Sequence, residues 1–446
     1  MAGQFARLRN IDAEFCTLRD GDLPAIKAAD DSLIAMGFDR LRQLAASARA
    51  RLNDLVSAGA TLYLRGGLPP AARVSLAPFS SGDFSAIREY RASGYRVDPH
   101  PLIPVTLAGE EVIGRYMLAG AEGLTPGRVE TALVGRSDDG HELPLIFTVG
   151  VGRGTVIYDL SPDEIASETP IIDRLANPLT RAGNIGALMA ANQAAAVPRD
   201  YRPAFNLALD NCPANLEYFN VARVVRLLDR ILDRFSEAHV DFAWTPNQSH
   251  PGHRFVDALK RYNTGFIWHG FCRRVDHSRL LNPRAELAEG IRLVDGISKK
   301  YGVRFQPVMR FPFSRDNALC TSVLHQRGFR AKVEWIESID SSADAERDYL
   351  KASQIDCLED FRGFAVLHCK FIPQIDYDWM LARTALGLPL LAAAKPDDLA
   401  LSTFARAPWN IDCFDDLDRV LEFAAAKGLR PCSLEEIAIE ACSPNK

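Results

Sequence analysis

The sequence lacks a long apolar segment, a leader and an excess of positive charge, and each absence excludes a class of protein. None of its 446 residues lies in the roughly 20-residue apolar run that a membrane-spanning helix needs. The apolar stretch that comes nearest, residues 385–394, is short and contains Pro389. The N-terminus has no apolar secretory core, so we expect a cytoplasmic protein. A net charge of −5 argues against nucleic-acid binding, which usually needs a basic face.

The spacing of the cysteines also gives no sign of a disulfide or metal-binding motif. There are nine, scattered along the chain, and no C-x-x-C spacing occurs among them. This excludes a zinc ribbon and a thioredoxin-type redox site. Free thiols in a reducing compartment are the simplest interpretation.

What is present indicates a globular protein of two domains. Apolar residues make up 47% and charged residues 24% of a chain too long for one ordinary core. We predict an α/β domain over residues 1–170 and a second domain over residues 201–446. Residues 171–200 between them have small side chains and weak periodicity, so we predict a linker there.

The N-terminal domain alternates helix and strand patterns. Helical spacing over residues 23–58 is followed by strand patterns at 60–64, 144–149 and 154–158. The glycines of Gly150-x-Gly152-x-Gly154 precede a strand rather than a helix, which favours a tight hairpin turn over a dinucleotide site. Together these segments resemble flavodoxin-like, glutamine-amidotransferase-like layers. No amidotransferase Cys-His-Glu arrangement accompanies them, so we expect a scaffold or recognition domain.

The C-terminal domain repeats strand-helix units over about 245 residues, which fits a parallel barrel or a doubly wound sheet. Two of its strands, at 205–209 and 265–268, end at Asp210 and His269, and a third apolar stretch ends at His368. Both fold types place their chemistry at the carboxyl ends of parallel strands. We therefore expect these three side chains to converge on one pocket.

Four motifs occur in order along this domain. They are Ala208-Leu-Asp210-Asn211-Cys-Pro213, His269-Gly-Phe-Cys-Arg273, Arg310-Phe-Pro-Phe313-Ser followed by Asn317, and Leu367-His368. Their order over residues 203–440 resembles the polysaccharide deacetylase family. The resemblance implies a distorted (β/α) deacetylase-type barrel after the flavodoxin-like domain, and a hydrolase of carbohydrate metabolism.

The resemblance also implies roles for individual residues. Asp210 would be the general base, Arg310 would orient it, and His368 would be the acid that protonates the leaving amine. His269 and Asn211 would stand at metal-binding positions, with zinc as the divalent metal. Arg273, Trp268 and Phe313 would contact the substrate.

Two positions depart from the family's pattern. Asn211 replaces a metal-binding carboxylate with a weak neutral ligand, and Arg273 replaces the second metal-binding histidine with a permanent cation that cannot coordinate. His250, His253 or His277 could complete a site with Asp210 and His269, or the metal could be absent. Asn211 and Arg273 could instead hold an anionic group on a sugar.

Two functions from different classes remain. The first is a hydrolase that removes an acyl group from an N-acylated sugar or a related amide. The second is an inactive deacetylase-fold protein that binds carbohydrate or a partner protein. A cytoplasmic location favours a small-molecule or a nucleotide- or lipid-linked sugar as the ligand.

Overall fold

The computed structural model describes residues 32–66, 86–124, 129–161, 175, 177–194, 202–213, 220–245, 252–270, 282–311, 318–335, 356–357, 363–395, 399 and 413–442. The chain divides into two compact units, residues 1–201 and residues 202–446. Of the helices in these described ranges, none combines the length and the apolar character that crossing a bilayer requires.

The first unit contains a mixed seven-stranded sheet. Its elements are β1 (Leu33–Gly37), α1 (Phe38–Gln43), α2 (Ala46–Ser57), β2 (Thr61–Arg65), β3 (Ala86–Val97), β4 (Glu111–Glu122), β5 (Val129–Ser137), β6 (Glu142–Val151), β7 (Gly154–Asp159) and α3 (Pro178–Ala194). The strand order is β1-β2-β7-β6-β5-β3-β4. Strand β1 lies within the range predicted as one long helix, and its pairing with β2 supplies the backbone hydrogen bonds of residues 33–37.

The predicted α/β character of this unit is found, but the flavodoxin-like topology is not. A flavodoxin-like sheet is parallel and doubly wound. Here β1, β2 and β7 are parallel to one another, whereas β7, β6, β5, β3 and β4 follow as antiparallel neighbours. The connections explain the difference, because the two residues between β6 and β7 can form only a hairpin. Gly152 in that hairpin has a φ of 62°, so the predicted tight turn is confirmed.

Residues 178–194, predicted as part of a linker, instead form helix α3. The helix packs against β2 and β7, and Ile185, Leu188 and Met189 are fully buried. Its small residues serve close packing, because a Cβ atom at Gly186 would lie 2.2 Å from Oδ2 of Asp159. Small side chains that suggested a linker are therefore a requirement of the helix–sheet contact.

The second unit contains a closed barrel of seven parallel strands. Its elements are β8 (Ala204–Pro213), α4 (Val221–Arg234), β9 (Val240–Thr245), α5 (His253–Leu259), β10 (Thr264–Trp268), α6 (Pro283–Tyr301), β11 (Phe305–Arg310), α7 (Ala318–Gln326), β12 (Ala331–Trp335), β13 (Asp356–Cys357), β14 (Ala365–Phe371), a 3₁₀ turn (Ile372–Gln374), α8 (Tyr377–Ala385), β15 (Leu390–Ala394), α9 (Cys413–Ala426), β16 (Arg430–Pro431) and α10 (Leu434–Cys442). The barrel order is β8-β9-β10-β11-β12-β14-β15, and β15 returns to β8. The predicted (β/α) barrel is confirmed over the doubly wound alternative.

A polar network closes the barrel at the amino ends of its strands. The fully buried Asp241 carboxylate accepts hydrogen bonds from Asn206 Nδ2 at 2.9 Å and from the backbone N–H of Leu434 at 3.0 Å. It also pairs with His239 Nε2 at 3.0 Å and accepts from Gln306 Nε2. Because Leu434 begins helix α10, this network fastens the C-terminal segment across one end of the barrel. The carboxyl ends of the strands, where other parallel barrels place their active sites, lie at the opposite end.

Candidate functional site

Three of the predicted residues lie together inside the barrel at the carboxyl ends of β8, β10 and β11. Side chains alternate between the two faces of a strand. Asp210 therefore shares the inward face of β8 with the core residues Ala204 and Ala208. Arg310 is the last residue of β11, and His269 directly follows β10. All three are buried, with exposures of 3–6%.

Arg310 and His269 both approach the Asp210 carboxylate. The guanidinium Nε of Arg310 donates a hydrogen bond to Oδ1 of Asp210. Nδ1 of His269 lies 3.7 Å from the same oxygen and 3.1 Å from the backbone carbonyl oxygen of Arg310. Because a carbonyl oxygen only accepts, Nδ1 carries a hydrogen, and the Nε2 atom is the one that can exchange a proton.

The neighbours of Asp210 keep it ionised. Burial alone would raise its pKa, but the charges of Arg310, His269 and Lys395, with the hydrogen bond from Arg310, outweigh burial and hold the pKa below its ordinary value. Asp210 is therefore a carboxylate at neutral pH. A carboxylate of lowered pKa is also a weaker base than an ordinary one.

Cys369 is a member of this cluster that the sequence reasoning missed. Its Sγ lies 3.0 Å from Nη1 of Arg310, and burial raises the pKa of the thiol. The Arg310 guanidinium also lies 5.8 Å from the ring centroid of Phe371. The alternation of Ala365, Leu367, Cys369 and Phe371 along β14 could have identified both residues as inward-facing.

His368 does not join Asp210. It lies in the middle of β14 rather than at its end, because the strand continues to Phe371. Since Cys369 points inward to Arg310, the adjacent His368 points to the outer face of the barrel wall. The predicted catalytic acid is therefore on the wrong side of the strand to reach a substrate beside Asp210.

The surroundings of His368 keep it neutral. Burial lowers its pKa, and the positive charges of Arg383 and Lys332 lower it further, to about 3. Among the described residues its Nε2 atom has no hydrogen-bond partner. His368 is therefore a buried ring on the outer face of the barrel wall, away from the Asp210 carboxylate.

Replacing His368 with leucine is expected to make stability less dependent on pH. The folded-state pKa near 3 lies below the unfolded value of about 6.5, so the unfolded chain takes up the proton first as pH falls, and stability is lost. Between about pH 7.5 and about pH 5, the difference in free energy of unfolding between the variant and wild type should shift by about 2 kcal/mol in favour of the variant. Urea unfolding at the two pH values measures this. His253→Leu, at an exposed histidine of the same unit, is the control.

The structure places one of the predicted substrate-contact residues and does not describe the other two. Trp268 is fully buried in the core on the outer side of β10, 5.9 Å from the ring of Phe329, and so does not line a sugar site. Arg273 and Phe313 lie outside the described residues, as do His250 and His277. Asn211 belongs to β8, but its side chain is likewise not described.

The described residues do not fit a three-ligand metal site. Zinc in catalytic sites takes three protein ligands and a water. His269 meets the requirement of a ligand histidine, since its Nδ1–H is held by a backbone carbonyl. Asp210 is paired with Arg310, however, and within the described ranges no three His, Cys, Asp or Glu side chains could hold one ion. His253, the remaining described alternative, lies on α5 with its ring centroid 4.9 Å from that of Tyr301.

This chain matches no family model and no curated protein, but it resembles several solved structures. A family 4 carbohydrate esterase from Streptomyces lividans, in complex with acetate, is 12% identical over 53% of this chain and 93% of its own, with a TM-score of 0.30. A family 4 acetyl xylan esterase from Clostridium thermocellum, with a cobalt ion, is 12% identical over 52% and 89%, at 0.31. The BA3943 protein of Bacillus anthracis, a CE4 family pseudoenzyme, is 11% identical over 53% and 66%, at 0.31. Likeness at this level assigns neither an activity nor site residues to this chain.

Proposed function

We propose that this protein hydrolyses the acyl amide of an N-acylated sugar at the carboxyl end of its barrel. The observation that carries the proposal is the buried cluster of Asp210, His269 and Arg310 on neighbouring strand ends. Burying ions costs several kcal/mol each, and an apolar replacement is often neutral or stabilising. A charged cluster at this end of a barrel is therefore a candidate for chemistry rather than for stability.

The reaction class follows from the motifs that contain these residues. Asp210, His269 and Arg310 stand in segments whose order resembles the polysaccharide deacetylases. In this proposal the ionised Asp210 takes a proton from the attacking water, and the Arg310 guanidinium fixes the orientation of the carboxylate. Because Asp210 has a lowered pKa, it is a weak base and we expect slow turnover. In the pH–rate profile, activity should be lost on the acid side only below the ordinary pKa range of a carboxylate.

The role of acid passes from His368 to His269 in this proposal. His269 lies on the same inward face as Asp210, and its Nε2 can give a proton to the departing nitrogen. The water oxygen adds to the acyl carbon, Asp210 receives the proton, the C–N bond breaks, and the amine takes its proton from His269. The net reaction consumes one water and yields one acid and one amine.

Acetate release from N-acetylglucosamine oligomers is the test of this proposal. The assay uses wild-type protein with EDTA and, separately, with zinc or cobalt added. We expect acetate and free amine to appear in equal amounts. Oligomer binding without acetate under every metal condition would contradict hydrolysis of this substrate class; nucleotide- and lipid-linked N-acetyl sugars extend the same assay.

A carbohydrate-binding function without turnover is the second candidate. Two observations favour it: His368 faces away from the site, and the described residues do not form a three-ligand metal set. This candidate predicts saturable sugar binding that Asp210→Asn alters but that produces no acetate. The same experiment therefore separates the two functions.

A further inference from the structure

The Arg310 guanidinium is held by two hydrogen bonds on different nitrogens. Its Nε donates to Oδ1 of Asp210, and its Nη1 donates to Sγ of Cys369 at 3.0 Å. Because the guanidinium is a rigid planar group, two contacts on different nitrogens fix its rotation as well as its position. A bond to Asp210 alone would allow the group to turn and to present another nitrogen to the carboxylate.

Strand β14 brings Cys369 to Arg310 from the other side of β12. The register places Arg310 level with Val333 of β12, and Val333 level with Leu367 of β14. Cys369 is two residues beyond Leu367, so it lies on the same inward face and nearer the carboxyl end of the barrel. The thiol is therefore buried where the long Arg310 side chain can reach it.

The Cys369 thiol is an uncharged acceptor. Burial is the largest influence on this group and raises its pKa, so the thiol stays protonated at neutral pH. A carboxylate at this position would divide the Arg310 charge between two anions. An uncharged thiol instead orients the guanidinium and leaves Asp210 as its counter-charge.

We propose that Cys369 is a positioning residue, whose thiol holds the Arg310 guanidinium in the orientation in which Nε contacts Asp210. The catalytic consequence rests on the hydrolysis proposed at Asp210, where Arg310 fixes the orientation of the base. Cys369 acts through Arg310 in this proposal and transfers no proton. Replacing it should therefore slow the chemical step without weakening substrate binding.

The ¹H–¹⁵N signal of Arg310 Nε tests the orientation without a substrate. Arg310→Lys, which keeps the charge but lacks this nitrogen, assigns the signal. In Cys369→Ala and Cys369→Val, exchange of the Nε–H with solvent should be at least about tenfold faster than in wild type, because a hydrogen bond to a charged group is lost. Cys369→Ser keeps an acceptor and should restore slow exchange. Valine fills the space of the thiol, so it separates the lost acceptor from the cavity that alanine leaves.

The kinetics of acetate release test the catalytic consequence. Cys369→Val should lower kcat about tenfold, with KM within about twofold of wild type, and Cys369→Ser should recover most of the loss. Cys432→Val is the matched control, because Cys432 is a second buried thiol of the same core cluster and lies beside the amino end of β8. It should leave the Nε–H exchange and kcat as in wild type, and urea unfolding measures the stability of both valine variants.

Unchanged Nε–H exchange in Cys369→Val would overturn the proposal, as would an equal effect of Cys432→Val or no recovery in Cys369→Ser. Faster exchange with an unchanged kcat would overturn the catalytic consequence. Wild-type protein that releases no acetate but shows the Cys369-dependent exchange would contradict hydrolysis at Asp210 and not the positioning of Arg310. The two proposals therefore fail separately.

Discussion

Replacing Asp210 with asparagine is expected to lower kcat for acetate release by about 10²–10⁴-fold, the usual contribution of a positioned acid or base. The amide cannot accept the proton of the attacking water, and it leaves the Arg310 guanidinium without its anion. Initial rates of acetate release measure the effect. The fraction of folded protein, followed by near-ultraviolet circular dichroism, is measured on the same samples.

The matched control for this prediction is His368→Gln. His368 lies on the outer face of β14, where it cannot transfer a proton to a substrate beside Asp210. Its replacement should therefore change kcat by less than about twofold. Equal rates for Asp210→Asn and wild type would exclude Asp210 as the base. A large loss in His368→Gln alone would show that the acid is on the other side of the strand from the Asp210 cluster.

Replacing Arg310 with methionine is expected to lower the free energy of unfolding by about 3–5 kcal/mol at neutral pH. The substitution leaves the buried Asp210 carboxylate without its principal counter-charge. Burial would then raise the pKa of Asp210 above its unfolded value, so a protonated Asp210 would be favoured as pH falls. The destabilisation should therefore be smaller at about pH 5 than at about pH 7, as measured by urea unfolding.

Two variants serve as controls for the Arg310 prediction. Arg304→Met removes an exposed pair with Glu435, at 2.6 Å, and should cost less than about 1 kcal/mol. Asp210→Leu in the Arg310→Met background should recover much of the loss, because neither charge of the buried pair remains. A small, pH-independent cost for Arg310→Met would contradict a buried ion pair at this position.

Local sequence pattern was sufficient to find the repeated strand-helix units and the ends of two strands, and the family resemblance favoured the barrel. Apolar runs that stop at a charged or polar residue predicted where β8 and β10 deliver Asp210 and His269, whereas Arg310 was identified through the resemblance. Parallel strands place such ends at one edge, so Asp210 and His269 could be brought together without knowledge of the tertiary contacts. The hairpin at Gly152 was predictable for the same local reason.

Local sequence pattern does not determine which face of β14 carries the His368 side chain. The apolar run Phe364–Leu367 predicts a strand that ends at His368, but β14 continues to Phe371 through Cys369 and Lys370. In a strand a one-residue difference in position moves a side chain to the opposite face. The contact between Cys369 and Arg310 determines the facing, and it joins residues 59 positions apart.

The flavodoxin-like topology predicted for the first unit is wrong for a related reason. Its sheet is mixed because β3 to β7 pair as antiparallel neighbours, and pairing partners are set by long-range register rather than by local periodicity. Helix α3 was not predicted, because the small residues that let it approach Asp159 are also typical of a linker. In both cases the determining contact joins distant parts of the sequence.

The most direct test of a sugar site inside the barrel is the ¹⁵N spectrum of the imidazole nitrogens, recorded with and without an N-acetylglucosamine oligomer. The chain has nine histidines, and the variants His269→Gln and His368→Gln assign the signals of the two that matter. A sugar site inside the barrel predicts that the oligomer shifts the His269 signals and leaves those of His368 in place, with His368 neutral down to about pH 4. Shifts of His368 on sugar binding, with His269 unchanged, would contradict the placement of the site inside the barrel.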